Sequence, residues 1–154
     1  MALLDWLWRP ARTCNDPKFG RLVYQRDAWS GRVLFPPVAT DVMLVLGSDG
    51  AEPGEMHRTL FAQLSQRYPS LQPAIAEALF ALWKPYLDDW NGDLPPVVTT
   101  VEDMRRCTTL DYVDLVLPAT ITLGFGFIAE VGWDDAMFSV KVREWVVSPE
   151  SLDD

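Results

Sequence analysis

An α+β fold is the class this sequence predicts, and three observations predict it. Alternating apolar segments cluster at the two ends of the chain. Two long stretches with apolar residues at helical spacing occupy the middle. Runs of strands separated from runs of helices, with no internal repeat and no linker, point to one antiparallel sheet of about six strands with the helices on one face. The expected order is βββ-αα(α)-βββ. The expected organisation is a short aromatic leader over 1–14, a single domain over 15–147 and an acidic tail over 148–154.

The first strand is expected in FGRLVY, where Phe19, Arg21 and Val23 alternate with Leu22 and Tyr24. QRDA gives a turn. WSGRVLF follows with Trp29, Gly31, Val33 and Phe35 on one face, and Pro36-Pro37 ends it because proline cannot serve a central ladder. DVMLVLG completes a meander of three strands. After GSDGAEPGE, a helix is expected from Pro53 to Tyr68 with Met56, Leu60, Phe61 and Leu64 on one stripe, stopped by Pro69. A second is expected from Leu71 to Trp90, with Pro73 in its first turn and Pro85 kinking or ending it. Its apolar side holds Ile75, Leu79, Leu82, Trp83 and Tyr86. Thr99-Thr100-Val101-Glu102 has the form of a capping box and predicts one or two helical turns through Arg106. Three strands close the chain, in LDYVDLVL, ITLGFGFIAEV and MFSVKVREWVV, before the polar run SPESLDD, read as a loose tail.

The chain has 154 residues, 49% of them apolar, which suits one domain with a sizeable core. Its formal net charge is −9. That disfavours nucleic acid, whose binding relies on Lys and Arg neutralising phosphates, and it disfavours an anionic membrane surface. It suits a basic protein partner, since opposite fields speed encounter, and it also suits simple solubility. Cys14 and Cys107 are far apart and lack metal-like spacing, so the cytoplasm is the expected compartment. No apolar run approaches the length of a membrane span. The leader residues Trp6 and Trp8 suit docking on the domain or a homodimer contact.

Few stretches look like chemistry. Gly124 and Gly126 have G-x-G spacing but sit inside an expected strand, and a phosphate loop needs a strand before it and a helix after it. Glycines so placed mark close approach of another group. Asp134-Asp135 falls in a turn between strands, a position that favours aspartate for local reasons. Asp89, Asn91 and Asp93 begin like a calcium loop, but Leu94 stands where glycine is needed and Thr100 where the bidentate glutamate should be. His57 is the sole histidine, so no histidine-based metal site forms, and it is expected to be a solvated helix residue. No cofactor, metal or nucleophile motif is present. Asp111, Asp114, Glu130, Asp134 and Asp135 are the carboxylates whose convergence would make acid–base chemistry.

The residues Asp16, Pro17, Phe19, Gly20, Trp29, Gly31, Trp133 and Asp134 form a D-P-x-F-G … W-x-G … W-D pattern across most of the chain. This pattern resembles a bacterial family of small α+β domains of unknown function, some of whose members look like immunity proteins that neutralise secreted toxins. Relatives often carry an acidic residue and a histidine after W-D, whereas Asp135, Ala136 and Met137 stand here, which moves the expectation away from an enzyme. The leading expectation is therefore a non-catalytic protein-binding domain that captures a basic partner, a toxin in its concrete form, through Asp88, Asp89, Asp93, Asp134 and Asp135. The second is a small-molecule-binding or hydrolytic domain with a pocket at Trp83, Tyr86 and Trp133. The third is a structural or oligomeric module using the leader.

Overall fold

The computed structural model describes residues 11–153. Eight strands form one sheet in sequence order: β1 (Arg12–Asp16), β2 (Gly20–Gln25), β3 (Ala28–Phe35), β4 (Thr40–Gly47), β5 (Thr108–Val116), β6 (Thr120–Phe127), β7 (Met137–Arg143) and β8 (Val146–Asp153). Two helices, α1 (Glu55–Asp88) and α2 (Val101–Cys107), lie between β4 and β5. The α+β class and the single sheet are as expected. The strand count and order are not: four strands precede the helices and four follow.

The two additional strands are the sheet edges. β1 reads RTCND, and its residues are mostly exposed. β8 reads VVSPESLD and turns the expected tail into ordered structure paired with β7 from Arg143↔Val146 to Met137↔Asp153. Edge strands need no alternating apolar face, and polar side chains there block further pairing. Pro149 is tolerated on an edge, beside a register irregularity at Ser139/Val140.

The sheet is mixed rather than antiparallel. β4 and β5 pair in parallel from Met43↔Tyr112 to Leu46↔Leu115, and every other pairing is antiparallel. Parallel neighbours require a long crossover, and the helical segment is that crossover. It joins two four-stranded meanders into one continuous sheet.

The expected pair of central helices is one helix of 34 residues that passes through Pro69, Pro73 and Pro85. All three prolines are exposed, so the carbonyls they leave unpaired face water. The opposite side of α1 buries Leu60, Phe61, Leu64, Tyr68, Leu71, Ile75, Leu79 and Trp83, and that continuous burial outweighs the lost hydrogen bonds. Phe61 and Tyr68 meet Phe35 edge-on at 5.6 and 5.1 Å, and Trp83 meets Phe127 at 5.2 Å. α2 forms where its cap predicts, with the box on Thr100 and Asp103, one residue later than the Thr99–Glu102 pairing.

Gly124 explains itself from the sheet's other face. A Cβ there would stand 1.8 Å from the Tyr112 ring, which lies flat across the glycine. Asp111, placed by a bulge at Leu110/Tyr112, covers Gly126 in the same way. The two glycines are seats for neighbouring side chains within a strand.

Candidate functional site

The C-terminal end of α1 carries a cleft walled by aromatic rings. Trp83 is the anchor, 1% exposed, its indole N–H donating to the Val98 carbonyl at 3.0 Å. Around it, Trp133 stands edge-on at 5.0 Å, Tyr86 stacks at 5.9 Å and Trp90 lies at 6.3 Å. Tyr86 and Trp133 are nearly perpendicular, and Trp90 and Trp133 are tilted by only 30° with centroids 6.1 Å apart. These last three rings are half-buried and line a cleft of about 550 Å³ together with Pro85, Asp89, Asn91 and Gly92. That volume is in the range of ligand pockets.

Local sequence explains each wall. α1 ends at Asp88, where the Asp89 N–H closes onto the Pro85 carbonyl and the Trp90 N–H onto that of Leu87. The chain then turns back on itself, with the Trp90 indole N–H donating to the Leu94 carbonyl at 2.9 Å. Gly92 packs against that indole so closely that a Cβ would be 2.9 Å from its ring. Trp133 arrives from the β6–β7 connection, where the Ala136 N–H bonds the Trp133 carbonyl and sets Asp134 and Asp135 in the middle of a turn.

Of the five acidic residues singled out from the sequence, one is in the lining of this cleft and the other four are near lining residues in the chain. Asp89 is in its lining, Asp88 and Asp93 are one residue from lining positions, and Asp134 and Asp135 follow Trp133 directly. All five are exposed. Of the aromatic trio, Tyr86 and Trp133 line the cleft, while Trp83 is packed behind it in the core and Trp90 takes its place. Trp90 was legible as part of the DDWNGD turn, but nothing in the sequence showed that the turn folds back onto Trp133.

The cleft's electrostatics are one-sided. Among the described residues, no Lys or Arg is in its lining. The last turn of α1 holds no basic residue, and Asp88 and Asp89 sit where the helix's own dipole is negative. One of the two, Asp88, is paired, with Lys84 at 2.6 Å on the exposed side.

The other candidate carboxylates do not converge. Asp111 lies over Gly126 and Asp114 is level with Thr122, with Tyr112 over Gly124 between them. Burial raises the pKa of both acids, and Asp114 Oδ1 is enclosed without a hydrogen-bond partner among the described residues. Glu130 is exposed in the β6–β7 connection.

At the opposite end of α1 an acid is buried and paired. The Asp16 side chain is 2% exposed and accepts the backbone N–H groups of Lys18 and Phe19 and a two-pronged contact from Arg58, Nη2 at 2.8 Å. Burial alone would raise the Asp16 pKa, but the bonds from Arg58, Phe19 and Lys18 hold it below the ordinary value. His57 is buried rather than solvated. Its Nδ1 accepts the Gly54 N–H at 3.3 Å, Nε2 has no hydrogen-bond partner among the described residues, and burial lowers its pKa.

Among the described residues, no cluster of three His, Cys, Asp or Glu side chains could hold a metal, and no helix is long and apolar enough to cross a membrane. The leader contact at Trp6 and Trp8 lies outside the described residues. No family model, curated protein or solved structure matches the chain.

Proposed function

We propose that the chain is a non-catalytic protein-binding domain that captures a basic partner at the C-terminal end of α1. The observation that supports this most is the meeting of two acidic turns, Asp88–Asp93 and Asp134–Asp135, around one aromatic cleft. Carboxylates at the negative end of a helix work against folding, so their accumulation there is better accounted for by binding than by stability. A net charge of −9 extends the same field over the whole molecule and speeds the approach of a cationic protein. In concrete form the partner is a basic toxin and the domain its immunity protein, the role that the D-P-x-F-G … W-D resemblance implies. A hydrolytic role has less support, since Asp89 is the one carboxylate among the described lining residues and Asp111 and Asp114 lie against β6 instead.

The test uses a charge-matched control. In one variant Asp88, Asp89, Asp93, Asp134 and Asp135 become asparagine. In the other, five exposed acids elsewhere (Asp27, Asp41, Asp49, Glu77 and Glu144) become their amides. Association with an oligoarginine peptide is followed by stopped flow over a range of salt. The cleft variant is expected to associate about tenfold more slowly at low salt, with the control much less affected. Equal slowing in the two variants, or none in the first, would show that the cleft rim is not the interface.

A further inference from the structure

The geometry points to a more specific role for the cleft: Tyr86, Trp90 and Trp133, with Asp89, form a receptor for a single organic cation, the guanidinium of an arginine side chain on the partner. This rests on the reading of a basic partner and adds the aromatic floor of the site, with Asp89 shared between floor and rim.

Three features converge on the same space. Two indoles tilted by 30° form one wall, and Tyr86, at 85° to Trp133, makes a corner with it. A ring face attracts a cation through its quadrupole, most strongly for tryptophan, and a planar guanidinium also stacks on it. Asp89 supplies a formal negative charge in the lining, able to accept two parallel N–H bonds from a guanidinium. The last turn of α1, from Pro85, contributes the negative pole of the helix to the same lining. Among the described residues, no cation is in the lining to satisfy these groups. The only aromatic–cation pairs of the described residues are elsewhere, Arg12 over Tyr24 and Trp29, and Arg67 over Trp145. A wholly apolar ligand would leave Asp89 and the helix end without compensation, and an anion would be repelled by both.

Tyr86 and Trp133 also pack on the Trp83 core, which gives the receptor a rigid back. The Trp90 ring is held by its bond to Leu94 and by Gly92. The cleft therefore does not need to be assembled on binding, and the entropy cost of ordering its side chains is already met in folding.

The experiment titrates the whole chain with n-butylguanidinium and, separately, with n-butylurea, its neutral counterpart of nearly the same shape. The readout is the indole N–H resonances of Trp90 and Trp133. Butylguanidinium is expected to shift both signals and to bind about tenfold more tightly than the urea. Trp133→Leu is expected to remove the binding. Because that change also touches the Trp83 cluster, a second preparation carries 5-fluorotryptophan, which keeps ring shape but weakens the quadrupole. It is expected to lower guanidinium affinity while leaving the fold and any urea binding unchanged. Equal affinity for the two probes, or affinity insensitive to fluorination, would overturn the receptor and leave an apolar groove. No binding of either probe would overturn it too. The oligoarginine association measured on the aspartate variants stands apart from these results. Salt-sensitive capture by a cleft blind to butylguanidinium would mean that the acidic rim works without the aromatic floor.

Discussion

The two ends of α1 use charge in opposite ways. At the N-terminal end, Asp16 is buried, fully bonded and matched to Arg58, and the sole histidine is folded in beside them. At the C-terminal end, aspartates stand exposed against the helix dipole, around aromatic rings that are left half-open. The first arrangement fastens the β1–β2 turn to the helix. The second leaves attraction unspent on the chain itself. Polar groups satisfied by their own chain point to structure, and groups that oppose the local field while facing solvent point to something outside it.

The comparison can be broken at either end. The largest effect is expected from Trp83→Ala, which empties the anchor of the aromatic cluster and should cost about 3–5 kcal/mol in urea denaturation. The cleft should be lost along with stability, because Tyr86 and Trp133 rest on that ring. A small cost would mean that the aromatic end is not built on the core. Asp16→Ala comes next, at about 2–4 kcal/mol, since it orphans two backbone donors and the Arg58 contact. The sign with pH follows from the depressed Asp16 pKa. Its contribution is fully present above the unfolded value near 3.8 and is lost as pH falls through the lower folded value. The variant should therefore lose part of the wild type's acid-induced destabilisation, and an unchanged acid limb would argue against the pair. The smallest effect sharpens the same end. Folding keeps His57 neutral, so its contribution is present above the unfolded value of 6.5 and declines as pH falls below it. His57→Gln retains an acceptor for the Gly54 N–H. Its stability should match wild type at neutral pH and should lack the wild type's decline just below pH 6.5.

Several elements were legible because one short-range cause decides each of them. Alternation placed β2 to β7, the Thr99–Glu102 capping pattern placed α2 to within a residue, and Gly124 inside a strand was correctly a packing feature rather than a phosphate loop. Pro69 was read as a stop because local rules weigh a lost hydrogen bond without the burial on the other side of the helix. β1 and β8 escaped because an edge strand is defined by its neighbour and not by its own pattern. His57 looked solvated beside Arg58 because nothing in the helix shows that Asp16, 42 residues away for Arg58, closes over that turn.

By itself the sequence determined the α+β class, the acidic balance, the turn that presents Asp134 and Asp135, and the apolar stripe of α1. These depend on residue type and on the fixed periods of helix and strand, which act within a few residues. Only the tertiary structure decided that β4 and β5 run parallel, that one helix spans three prolines, and that Trp90 and Trp133 share a wall. Those outcomes depend on burial summed over distant segments, and a cleft whose walls lie some 40 positions apart exists only once the whole sheet has formed.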